Sequence, residues 1–183
     1  MKRLDYIIQS LRIRKALPYI PSRSDILDIG CADGALFRMA TNQMKQGIGV
    51  DPGIDQEVVR PNYRLIPGTF PECIPGKLSF DVITMLAVFE HLTPESQINI
   101  VKALPAYLRE NGKVIMTIPS PRVDKILEWL KMVRLIDGMD LGKHHEFDVQ
   151  QVRQIMGTNF SLSHFEKFQF GMNNLFVFTK NLC

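Results

Sequence analysis

Cysteine is scarce, and the three that occur, Cys31, Cys73 and Cys183, are odd in number with wide and irregular spacing. That pattern builds neither a disulfide framework nor a paired zinc motif, so no metal is expected and a reducing cytosol is the simplest compartment. Charge of one sign is also lacking. The 22 Lys and Arg against 19 Asp and Glu leave a formal charge of +3, with the basic residues scattered. A nucleic-acid partner is therefore not expected, and only a weak attraction to anionic substrates remains. Long hydrophobic runs are absent too. In MKRLDYIIQSLRIRKALPYI, charges at Lys2, Arg3, Asp5, Arg12, Arg14 and Lys15 interrupt each apolar run before it reaches signal-peptide or membrane-span length. A cytoplasmic chain without stable membrane insertion is the expectation. Leu4, Ile7, Ile8 and Leu11 suit an amphipathic helix over residues 1–20, packed on its own domain in preference to resting on a membrane surface. No repeat or Ser/Gly-rich linker divides the chain, so residues 1–183 read as one domain of unknown oligomeric state.

What is present is a 45% hydrophobic chain in which short apolar runs alternate with longer helix-like segments, the pattern of a mostly parallel sheet covered by helices. Strands are predicted at Asp25 to Ile29, Ile48 to Asp51, Tyr63 to Ile66, FDVITMLAV and KVIMTIP, with a helix from about Ala35 to Met44 after the first. Pro52 and Pro61 bracket GIDQEVVR, so any crossover helix there is short. Thr93 caps a helix with Pro94 in its first turn, running to about Arg109. Asp148 followed by Gln151 reads as a capping box for a helix ending near Met156. Leu162 to Phe170 and Asn174 to Thr179 form a terminal antiparallel hairpin through Gly171 and Met172.

The strongest local signal is Asp28-Ile29-Gly30-Cys31-Ala32-Asp33-Gly34, where a strand gives way to a helix. Gly30 and Gly34 allow a sharp turn on which a ligand can lie, with unpaired N–H donors at the helix start. Glycines that merely tighten a turn would look the same, but Gly49-Val50-Asp51 adds a carboxylate 17 residues beyond Gly34, where it can accept hydrogen bonds from both hydroxyls of a ribose. Asp28 occupies a place where nicotinamide-binding domains carry an apolar residue, and a carboxylate there suits a cofactor with a cationic amine.

ILDIGCADG, GVD, FDVITMLAVFEHL and LRENGKVIMTIPSP together resemble the class I S-adenosylmethionine-dependent methyltransferases, over about Asp25 to Pro119. The resemblance implies a Rossmann-like three-layer α/β sandwich with a mostly parallel seven-stranded sheet and an antiparallel final strand, and it implies S-adenosyl-L-methionine as cofactor. It places Asp28, Gly30, Cys31 and Gly34 at the methionine end, Asp51 at the ribose, and Leu86 and Ala87 beside the cofactor at the end of the fourth strand. The family's acid near the adenine is missing from Gly68-Thr69-Phe70, so Thr69 or a backbone group, with Phe70 as apolar cover, is expected to take its place.

Glu90 and His91 follow in FEHL, with Glu90 as a candidate acceptor contact and His91 as a candidate base for an acceptor hydroxyl and as an equally good brace for the next helix. His144 and His145 are candidate acceptor contacts, of which at most one can face the site from an extended stretch. Residues 122–147, with Trp129, read as a lid or as one apolar helix face, and Phe147, Phe160, Phe165, Phe168 and Phe170 as an acceptor pocket or as core. Methyl transfer needs alignment more than catalytic side chains. The fourth strand lacks an Asn-Pro-Pro-Tyr ending, which argues against methylation of nucleic-acid bases. A small molecule, lipid or sugar intermediate is the expected acceptor, with O-methylation ahead. The alternatives are a nicotinamide-dependent oxidoreductase and a non-catalytic cofactor-binding subunit.

Overall fold

β-Branched and aromatic runs supply the strands, and helices with one apolar stripe cover them. The computed structural model describes residues 3–74, 78–120 and 149–181. Among these, eight strands form one sheet: β1 (Ser24–Ile29), β2 (Met44–Asp51), β3 (Val58–Val59), β4 (Tyr63–Pro67), β5 (Phe80–Leu86), β6 (Leu108–Pro119), β7 (Phe160–Phe168) and β8 (Asn173–Lys180). Their spatial order is β3-β4-β2-β1-β5-β6-β8-β7. The five strands from β4 to β6 run parallel, whereas β8 is antiparallel to both β6 and β7. Expectation and structure agree on the mostly parallel α/β sheet and its antiparallel end. The count differs by β3, which pairs antiparallel with β4. Eight residues between prolines are too few for a helix to cross the sheet, and the connection turns back as a short hairpin closed by the Arg60 N–H on the Tyr63 carbonyl at 2.9 Å.

Two helices cover one face of the sheet. α1 (Arg3–Ala16) and α2 (Ala35–Met39) bury Ile13, Ala16, Leu36 and Phe37 with Ile26, Val82 and Ile115. α3 (Pro94–Tyr107) and α4 (Val149–Met156) bury Ile100, Val101, Leu104, Val152 and Met156 on the other face with Leu27, Ile83 and Met116. α1 thus packs on its own domain, as the sequence suggests, with Tyr6, Ile7 and Leu11 left exposed. No described helix is long and apolar enough to cross a membrane.

Several boundaries move for identifiable reasons. α2 ends at Met39, not near Met44, because Met44 already opens β2 and pairs with Ser24. β6 begins at Leu108, paired with Phe80, and resumes at Lys113 opposite Val82. The intervening residues bulge at Asn111, whose φ of 58° is left-handed. Thr93 does cap α3, its hydroxyl accepting from the Ser96 N–H at 3.2 Å. Asp148 of the expected capping box lies outside the described residues. The hairpin turn falls at Gln169, Phe170 and Gly171, all with positive φ. Phe160 is core, Phe165 leans on Phe176 at 5.1 Å and Phe170 is fully exposed, so these rings share no pocket. Phe147, Trp129 and the 122–147 segment lie outside the described residues. At the amino ends of the central strands Arg109 joins Asp25 and Asp81, at 2.5 and 2.6 Å. The chain runs outward from β1 on one side and from β5 on the other, which opens a crevice at the carboxyl ends of these neighbours.

Candidate active site

The glycine turn lies at that crevice. Gly30 leaves β1 with φ +74°, and its N–H bonds to the Val50 carbonyl at 2.8 Å. A Cβ on Gly30 would stand 2.3 Å from a γ-carbon of Val88, so no other residue fits without movement. Gly34 repeats the left-handed conformation, and its N–H closes the turn on the Cys31 carbonyl at 2.8 Å. The helix that follows has only five residues, and its Ala35 N–H is engaged by the Asp33 carboxylate at 3.2 Å. One of the expected free donors at the helix start is thus already used.

Asp51 is more than an exposed turn residue. One carboxylate oxygen accepts the Ala32 N–H at 2.9 Å and the other accepts the Gly53 N–H at 2.8 Å, so Asp51 pins the glycine turn to the end of β2. Asp51→Ala should weaken S-adenosylhomocysteine binding by about 1 to 3 kcal/mol, read by calorimetry. Unchanged affinity with an intact circular dichroism spectrum removes Asp51 from the site.

Asp28 points to the α1 face and is only 4% exposed. The Thr84 hydroxyl donates to its Oδ1 at 2.6 Å. Burial pushes the Asp28 carboxyl up to about 7, the Thr84 bond pulling it down and the Asp51 charge adding to the rise. Asp28 lines a small cavity with Gly30, Cys31 and Leu86 from the sheet and Leu36 from α2; Gln9, Arg12 and Ile13 of α1 close it from above. The Arg12 Nε–H donates to the Asn173 Oδ1 at 3.4 Å. Burial lowers the Arg12 guanidinium below its usual range while Glu90 pulls it back up. Cys31 is buried, and burial beside Asp28 and Asp51 pushes its thiol up, so it serves as packing and not as a nucleophile.

Leu86 ends β5 at the cavity. Ala87 takes a left-handed φ of 59° and bonds through its N–H to the Thr117 carbonyl at 2.9 Å. A single 3-10 turn over Phe89–His91 follows, with Glu90 buried and His91 exposed. Burial pushes the Glu90 carboxyl up to about 7, its own amide and Arg12 working the other way. Thr69 is exposed, and its hydroxyl donates to Glu72 at 3.1 Å. Phe70 does not lie open as a cover: it is buried, edge-on to Tyr107 at 5.0 Å. An aromatic after a turn looks the same in sequence whether it faces a ligand or the core. His144 and His145 lie outside the described residues.

The structure therefore brings Asp28, Gly30, Cys31 and Leu86 to one cavity, while Gly34 and Asp51 hold the adjoining glycine turn and Thr69 and Phe70 are not among the residues that line the cavity. Sequence reasoning missed Gln9 and Arg12 at the cavity and Thr84 as the partner of Asp28. Thr84 is readable in principle, since a polar residue inside the apolar run FDVITML needs a buried partner. Nothing in the local pattern of α1 marks Gln9 and Arg12. Among the described residues no group of three or more His, Cys, Asp or Glu is placed to hold a metal ion.

A family model described as a methyltransferase domain matches residues 2–160, and the chain belongs to that family, as a class I S-adenosylmethionine-dependent methyltransferase. The nicotinamide-dependent alternative is thereby set aside. Comparison with curated protein sequences finds no match. Similar solved structures share the fold. The PH0226 protein from Pyrococcus horikoshii is 17% identical with a TM-score of 0.71, covering 99% of this chain and 92% of its own. The N-methyltransferase NodS from Bradyrhizobium japonicum, in complex with S-adenosylhomocysteine, is 13% identical with a TM-score of 0.66, covering 99% and 89%. The 1,6-didemethyltoxoflavin-N1-methyltransferase from Burkholderia thailandensis is 14% identical with a TM-score of 0.72, covering 97% and 82%.

Proposed function

We propose that the chain transfers a methyl group from S-adenosylmethionine to a nitrogen or oxygen of a small-molecule acceptor. The observation that carries this reading is the buried Asp28 carboxyl lining a cavity beside the glycine turn, because a carboxyl so placed needs a cationic partner. The residues fit the cofactor: Asp28 would hold its amine, Gly30 and Gly34 would let it lie against the backbone, and Asp51 would take its ribose. When bound, it supplies a methyl already activated on a sulfonium. The chain aligns the acceptor at the end of β5 and excludes water with α1. The neighbour from Burkholderia thailandensis holds 1,6-didemethyltoxoflavin and S-adenosylhomocysteine, which supports a small-molecule acceptor over a macromolecule. O-methylation, favoured by the sequence reading, and N-methylation both suit a site ending in carboxyl and imidazole groups.

Parallel calorimetric titration with S-adenosylmethionine, S-adenosylhomocysteine and NADH tests the cofactor, and binding of the two adenosyl compounds alone is expected. An acceptor screen with methyl-labelled cofactor follows. His91, exposed at the turn after β5, carries the acceptor's proton out to solvent in this reading. Removing it should lower turnover while leaving cofactor affinity intact: His91→Ala is expected to lose about 10²-fold or more in kcat with S-adenosylhomocysteine binding unchanged. Full turnover by the variant makes His91 a brace for α3.

A further inference from the structure

Among the described residues five buried side-chain oxygens have no hydrogen-bond partner: one of Asp25, both of Glu90, and the hydroxyls of Thr117 and Ser120. Asp25 belongs to the amino end of the sheet, where Arg109 engages its other oxygen. The remaining four belong to the carboxyl ends of β5 and β6, the end that carries the cavity.

Their faces follow from the pleat. Thr117 pairs with Leu86 of β5 and Leu175 of β8, and both of these leucines belong to the α1-side core. Asn173, two residues before Leu175 on the same face, accepts the Arg12 Nε–H. Arg12 lines the cavity with Asp28, and its charge acts on Glu90. Arg12 and Glu90 nevertheless form no ion pair within 4.0 Å. Glu90 is 4% exposed, shielded from bulk water, and beyond the pull of its own backbone amide neither oxygen has a hydrogen-bond partner among the described residues. Buried carboxyls are satisfied in folded proteins, so this one awaits a donor from a ligand or an enclosed water. Asp28 is assigned to the amine of the cofactor in the reading above, and Glu90 stands on the turn that follows β5, within the field of the Arg12 guanidinium.

Resting on the cofactor reading above, we propose that Glu90 receives the methyl acceptor: its carboxylate accepts a hydrogen bond from the N–H or O–H of the reacting atom, and the acceptor is an amine or a hydroxyl compound, not a carbon nucleophile. In the transfer the methyl–sulfur bond breaks with its electron pair staying on sulfur, and a methyl–nitrogen or methyl–oxygen bond forms. The proton of the nucleophile passes to the Glu90 carboxylate and from there by way of the exposed His91 to solvent. Thr117 offers a hydroxyl on the α1 side of the same end, able to donate to the second lone pair of a hydroxyl acceptor.

Sinefungin, which carries an amine where the transferable methyl sits, tests the assignment without knowledge of the acceptor. Wild-type and Glu90→Gln chains are titrated calorimetrically with sinefungin and with S-adenosylhomocysteine. The wild-type chain is expected to prefer sinefungin by about tenfold, the effect of one hydrogen bond to a charged group. Glu90→Gln should abolish most of that preference while S-adenosylhomocysteine binds as before, which also shows the variant to be folded. An unchanged preference overturns the inference, and so does loss of both ligands by the variant, which would assign Glu90 to the cofactor or to the fold. Failure of the wild-type chain to bind either compound overturns the cofactor reading itself and the inference with it.

Discussion

Gly30→Ala should lose cofactor binding and about 2 to 5 kcal/mol of stability. Two terms add. The left-handed conformation, φ +74°, costs a side chain about 1 to 2 kcal/mol. The new methyl would meet Val88 at 2.3 Å, and overpacking of this kind costs about 1 to 3 kcal/mol more. The thermal midpoint should fall by roughly 5 to 15 °C for a chain of this size. Gly171→Ala separates the terms. Its φ of +80° is nearly the same, but nothing lies within 4 Å of its added Cβ, so only the conformational cost of about 1 kcal/mol is expected, with cofactor affinity intact. Val88→Ala in the Gly30→Ala background should return the steric part. Equal stability losses at Gly30 and Gly171 refute the argument that Val88 presses on the turn.

Asp28→Asn should move stability and affinity in opposite directions. Burial raises the folded carboxyl to about 7 from an ordinary 3.8. A raised folded value makes the contribution of Asp28 fully present below the unfolded value and lost as pH rises through the folded one. The wild-type chain should therefore lose on the order of 4 kcal/mol from this group between about pH 4 and pH 7. Glu90, raised to about 7 from 4.5, acts in the same direction over a slightly narrower window. Asparagine keeps the shape and an oxygen for the Thr84 hydroxyl but carries no charge. Denaturation curves should then show the variant more stable than wild type at pH 8 and equal to it near pH 4. S-adenosylhomocysteine should bind about tenfold or more weakly, because a hydrogen bond to a charged group is lost. A variant less stable than wild type at pH 8 refutes the assignment of Asp28 as a strained, buried charge.

The strain has a functional logic. Asp28, Glu90 and the left-handed Ala87 lie within the crevice end of the sheet, where local cost is offset by the core beneath it. That core is built on both faces of β1 and β5, so the cavity rests on two central strands covered on both sides.

The sequence by itself determined the elements whose signals are local. The run FDVITML reads as a buried central strand because apolar residues on both faces leave no other covering, and β5 lies at the centre of the sheet. Thr93-Pro94 marks the start of α3 because a hydroxyl and a fixed φ act within one turn. The Gly30 to Gly34 turn and the place of Asp51 were legible for the same reason: their geometry depends on neighbours in the chain and on a strand end already recognisable. Tertiary structure decided everything that needs two distant segments to meet. Arg12 reaches Asn173 across 161 positions, and Thr84 reaches Asp28 across 56, separations for which residue pattern carries no signal. It also decided that Phe70 turns into the core against Tyr107. It decided that the two carboxyls of Asp28 and Glu90 are both withdrawn from water, because burial belongs to the packed sheet and helices together and to no stretch of sequence alone.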